Sequence, residues 1–91
     1  MHQENPLRGT GQFRQGESGE LVELISMYDL GIILGLPLDY TIQGHLLFEL
    51  VINEVYRYLH EKEVENLKPC LSEESYRRVK TTIEHLLSQG Y

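Results

Sequence analysis

The 91-residue sequence has one cysteine, no tryptophan, few basic residues and no apolar run long enough to cross a bilayer. With Cys70 alone, no intrachain disulfide forms and a Cys-based zinc site lacks its other ligands. A free Cys is commonly a small buried apolar group, and that is the role expected of Cys70. The longest apolar stretch, Leu30 to Leu38, is broken by two glycines and a proline. It falls well short of the roughly 20 residues a spanning helix needs. The N-terminal "MHQENPLRGTGQFRQGESGE" contains no apolar core of the kind a signal peptide requires, so a soluble cytoplasmic protein is expected, away from membranes. Eight Lys and Arg stand against fourteen Asp and Glu, a formal charge of −6. That balance argues against a general nucleic-acid coat and against an anionic membrane surface. Only Leu67 to Tyr91 leans positive, with four bases to three acids.

Motifs for chemistry are also missing. The glycines of "GTGQFRQG" fit neither the dinucleotide fingerprint nor the P-loop spacing. His60-Glu61 is not followed by a second histidine in the HExxH pattern, and no Glu-x-x-His pair is present. His45 and Glu49, one helical turn apart, supply two candidate ligands and no third. No nucleophile motif occurs, and a chain of this size has little room for a pocket of several hundred cubic ångströms. No catalytic residue, no metal and no cofactor are therefore assigned.

The pattern that is present predicts an all-α fold: one three-helix domain over 18–91 behind a disordered tail at 1–17. The tail is rich in Gly, Gln and Arg, with Leu7 and Phe13 as isolated large apolar residues. Ser18 or Gly19 is expected to open a first helix, because Leu21, Leu24, Ile25, Tyr28 and Ile32 recur at helical spacing. Gly35 before Leu36-Pro37 is a natural stop. A strand through Ile32 to Leu34 is the rival reading, but no second strand-like run is evident for it to pair with. The second helix is expected from Tyr40 to Asn66, with Asp39 or Thr41 as its cap. Leu47, Phe48, Val51, Ile52, Val55, Tyr58 and Leu59 fill one broad face of it. The third follows Lys68-Pro69: Ser72 is its N-cap, Glu73 and Glu74 suit its first turn, and Tyr76, Val79, Ile83, Leu86 and Leu87 form its buried face.

Two surfaces are left to carry function. The second helix is apolar on a further side through Leu46, Leu50 and Tyr56. Together with Ile33 and Leu34 of the preceding apolar stretch, these residues are the expected dimer or partner interface. On this reading the chain is a helical homodimer and a small regulatory or adaptor protein, working by binding another protein and performing no chemistry. Glu49, Asn53, Tyr56 and His60 form a polar stripe beside the same surface. The alternative rests on "SYRRVKTTIEHLLSQGY", which resembles the recognition helix of a winged-helix DNA-binding domain: an apolar-spaced helix ending in Leu-x-x-x-Gly-aromatic. The resemblance spans about twenty residues. It implies a transcription regulator that contacts DNA through Arg77, Arg78, Thr81, Thr82 and His85. Against it, the segment ahead, "HEKEVENLK", is acidic. In addition Glu73 and Glu74 stand four residues before Arg77 and Arg78, and Lys80 four before Glu84, so local pairing accounts for the cations.

Overall fold

The computed structural model describes residues 9–39, 41–61 and 64–90. It is an α+β fold, not the all-α bundle expected from the helical spacing. Strand β1 (Gly9–Gln15) pairs antiparallel with β2 (Leu21–Ile25). Then come α1 (Met27–Ile33), α2 (Gly44–His60), a 3₁₀ segment (Val64–Cys70) and α3 (Glu73–Ser88). No described helix is long and apolar enough to cross a membrane.

The hairpin replaces the start of the expected first helix. Leu21, Leu24 and Ile25 fit a helical stripe, but Val22 and Leu24 also alternate with Leu21 and Glu23, and both Val22 and Leu24 are buried while Leu21 is 75% exposed. Period two prevails because a partner strand exists: Phe13 opposes Glu23, Arg14 opposes Val22 and Gln15 opposes Leu21. The part of the expected tail from Gly9 to Gln15 is therefore ordered as β1, and Met1 to Arg8 lie outside the described residues. The chain reverses between Gly16 and Glu20, where Gly16 N–H donates to Glu20 C=O at 2.7 Å.

Ser26, not Ser18, opens α1: its hydroxyl accepts from the Asp29 amide at 3.2 Å. The expected stop at Gly35 is found, in the form of a Schellman motif. Gly35 N–H donates to Ile32 C=O and Leu36 N–H to Gly31 C=O, with Gly35 at φ +97°. An L side chain at that angle is strained, which is why glycine ends the helix. The rival strand through Ile32 to Leu34 is thereby excluded. Gly31 serves packing instead. A Cβ there would lie 2.9 Å from Val51 and 2.6 Å from Leu38, so its absence lets α1 approach α2 and lets Leu38 fold back over the contact.

Helix α2 is shorter than its apolar pattern suggested. Tyr40 lies outside the described residues, and Asp39 accepts from both the amide and the hydroxyl of Thr41, a local turn ahead of the helix. These bonds, the hydroxyl's first, hold the Asp39 carboxyl below its ordinary pKa. After His60 the wet "HEKEVEN" sequence does not sustain α-helix: 62 and 63 lie outside the described residues, and Val64–Cys70 is a 3₁₀ turn that contains Pro69. Helix α3 matches its sequence signals closely. Ser72 Oγ accepts from Ser75 N–H at 3.1 Å, and Tyr76, Val79, Ile83 and Leu86 are buried. Helix α3 packs along β2 and α1 along α2, and the two pairs share one core that includes Ile25, Leu30, Leu34, Val51, Val55 and Val79.

Candidate protein-binding surface

The polar face of α3 is turned inward, against the hairpin. Strand β2 has β1 on one edge, and α3 side chains cover its other edge. Ile25 N–H donates to Thr82 Oγ1 at 3.1 Å, and the Thr82 hydroxyl in turn donates to Arg78 C=O at 2.7 Å. Arg78 Nε donates to Glu23 C=O at 3.1 Å, and its other nitrogen lies 3.8 Å from the Glu23 carboxylate. A buried strand edge would otherwise leave amide and carbonyl groups dry and unpaired, so these side chains substitute for a third strand.

The ion pairs follow the same geometry. Arg77 is 3.4 Å from Glu20 and only 3.9 Å from Glu73, one turn back. Lys80 meets Glu17 at 3.1 Å, a contact that raises the lysine pKa through the hydrogen bond and then through charge. At the far end, Arg14 of β1 donates to His85 Nδ1 at 2.7 Å and to Ser88 Oγ at 3.1 Å. A guanidinium can only donate, so Nδ1 is the acceptor of this contact. The acids that engage this helix come mainly from the hairpin, 55 to 63 residues away in sequence for Glu23 and Glu17. Local spacing had nominated Glu73, Glu74 and Glu84.

This arrangement places the five residues nominated for DNA contact. Thr81 and Thr82 are buried, Thr82 with 3% exposure. Arg78 is half-buried against β2, His85 is half-buried and engaged by Arg14, and Arg77 remains exposed. They do not form one outward face. Beside them a groove of about 610 Å³ runs between the hairpin turn and α3, lined by Glu17, Glu20, Tyr76, Arg77, Lys80 and Glu84 among others. Its cations are already engaged: Arg77 and Lys80 by hairpin acids, and Lys68 over the Tyr76 ring at 5.3 Å. No group of three or more His, Cys, Asp or Glu able to hold a metal ion occurs among the described residues.

The other nominated surface divides differently. Leu46 is 56% exposed, and Leu50 and Tyr56 are half-buried along the same side of α2. Tyr56 stacks on His60, with ring centroids 6.2 Å apart and planes 10° from parallel. Leu34, by contrast, is a core residue with 2% exposure, and Ile33 packs against that core. The residue that α1 exposes is Ile32, one position earlier. Sequence periodicity placed Ile32 on the buried stripe because it carried the helix back to Ser18; with the start moved to Met27, the inward face is Leu30 and Leu34.

His45, Glu49 and Asn53 recur every four residues on the outward side of α2, and their side chains make no hydrogen bond or ion pair with any described residue. Arg57, further along, meets Glu54 at 3.2 Å and Glu61 at 3.1 Å. Glu54 is itself buried, and its charge adds to burial in pushing the Tyr58 phenol above its ordinary pKa. A second exposed apolar pair, Phe13 and Leu21, lies on one face of the hairpin, a feature the sequence did not flag. Cys70 is exposed rather than buried, because it ends the 3₁₀ segment instead of entering a helix face. No family model matches this chain, and neither a curated protein nor a solved structure is significantly similar to it.

Proposed function

We propose that this chain is a small cytoplasmic regulatory or adaptor protein that acts by protein–protein binding through the outward side of α2 and performs no chemistry of its own. The observation that carries this reading is the state of that helix face. It holds the exposed Leu46, the half-buried Leu50 and Tyr56, and three polar side chains that make no hydrogen bond or ion pair with the described residues. An apolar row rimmed by unengaged polar groups is how a binding surface differs from a merely solvated one. Helix-turn-helix DNA recognition has less to rest on. Two of its five contact residues are buried, and two more are spent on holding the hairpin.

Replacing Leu46 and Leu50 together with Glu tests the reading. Neither residue belongs to the buried core, so the helical circular dichroism and cooperative unfolding are expected to persist. Recovery of the bound protein from cell extract with the tagged full-length chain is expected to fall at least about tenfold, the loss of one or two apolar anchors. Equal recovery by wild type and variant contradicts the proposal.

A further inference from the structure

We infer that the α2 face takes a second copy of this chain, with the two α2 helices antiparallel about a two-fold axis close to Asn53. This rests on the protein-binding reading above and names the occupant. Asn53 stands opposite Val51 and Val55, the two valines of α2 that point into the core with 0% and 1% exposure, so it marks the centre of the outward face. Around it the sequence is complementary to its own reverse. Glu49 and Arg57 lie four residues either side, Leu50 and Tyr56 three, Leu46 and His60 seven, and His45 and Glu61 eight.

An antiparallel two-fold brings each of these positions level with its counterpart on the other copy. Glu49 of one chain is then level with Arg57 of the other, twice over. Leu46 and Leu50 come level with the flat Tyr56–His60 stack, which offers an apolar shelf. At the axis, Asn53 faces itself, and an amide both donates and accepts, so the pair is self-satisfying. A polar residue at the centre of an apolar helix seam is a known way of fixing register and copy number. A parallel pair keeps only the Asn53 contact: Glu49 would adjoin Glu49 and Arg57 would adjoin Arg57. Glu49 and Asn53, whose side chains make no hydrogen bond or ion pair with any described residue, are supplied with partners by this arrangement. One helix crossing buries less than the standard interface, so the association is of the weak, concentration-dependent kind.

Sedimentation equilibrium of the full-length chain provides the test. The wild type is expected to dimerise reversibly. Glu49→Arg sets cation against cation at both ends and raises the dissociation constant about tenfold or more. Combining Glu49→Arg with Arg57→Glu exchanges the charges and returns it to near the wild-type value. Because Arg57 also neighbours the buried Glu54, a second measurement guards against misfolding of the swap. In a Cys70→Ser background, Asn53→Cys is expected to oxidise to a disulfide-linked dimer, since its copies meet at the axis. Leu46→Cys is not, since its copies are about 21 Å apart along the helices. A wild type that stays monomeric at high concentration overturns the inference. So does equal cross-linking at both positions, which indicates parallel helices. In either case the protein-binding reading is judged separately, by the Leu46 and Leu50 substitution.

Discussion

Leu30→Ala is expected to cost about 2–5 kcal/mol of folding free energy, the range for truncating a fully buried leucine. Leu30 is 0% exposed at the middle of α1, in the core shared with Leu34, Val51 and Val55. The cavity it leaves cannot easily collapse. Gly31 already holds α1 against α2 at the limit of contact, and Leu38 closes the site from the loop. A domain of this size has a total stability of about 5–15 kcal/mol, so the variant loses a large share of it. Urea unfolding followed by circular dichroism measures the shift in midpoint. A change below about 0.5 kcal/mol would mean that α1 is not part of the core.

Thr82→Val is expected to cost about 1–3 kcal/mol although it keeps the side chain's shape. Its hydroxyl accepts from Ile25 N–H at the covered edge of β2 and donates to Arg78 C=O one turn back in α3. Valine removes the acceptor and leaves a buried amide with nothing to donate to. Thr82→Ser retains the oxygen and is expected to recover most of the loss. Amide hydrogen exchange separates this from a general packing effect: the Ile25 amide should exchange faster in the valine variant, while α2 amides shift only with global stability. If Thr82→Val is as stable as wild type, the hairpin does not dock on α3 through these bonds.

How much of the molecule could be read in advance depended on whether local signals had rivals. Helix α3 was legible because one period, a serine cap and a terminal glycine all agree, and Gly35 was legible as a stop for the same reason. The hairpin was not. Leu21, Leu24, Ile25 and Tyr28 satisfy a helical spacing as well as Val22 and Leu24 satisfy a strand alternation. The choice between them is made by β1, whose Gly9, Gly11, Gln12 and Gln15 carry almost no strand signal alone. The hairpin also decides the roles on α3. Without it, Thr81 and Thr82 have no strand edge to serve and read as outward groups for DNA. Spacing alone pairs Arg77, Arg78 and Lys80 with local acids, whereas Glu17, Glu20 and Glu23 reach them through the fold. On α2, Leu46, Leu50 and Tyr56 lie on the outer side, but Leu59, expected on the inner face, is 41% exposed and Glu54 is buried. On α1, Leu34 is a core residue, Ile33 packs against the core and Ile32 is the exposed one.

The proposed binding side is the outer face of α2, whereas the polar face of α3 holds the hairpin. A site-specific photo-crosslinking amino acid, placed in the full-length chain expressed in cells, compares the two directly. Installed at Leu46 it is expected to give a discrete covalent adduct, and installed at Arg77 to give none above background. Adducts from Arg77 without any from Leu46 would contradict the assignment and return α3 to consideration as the functional face.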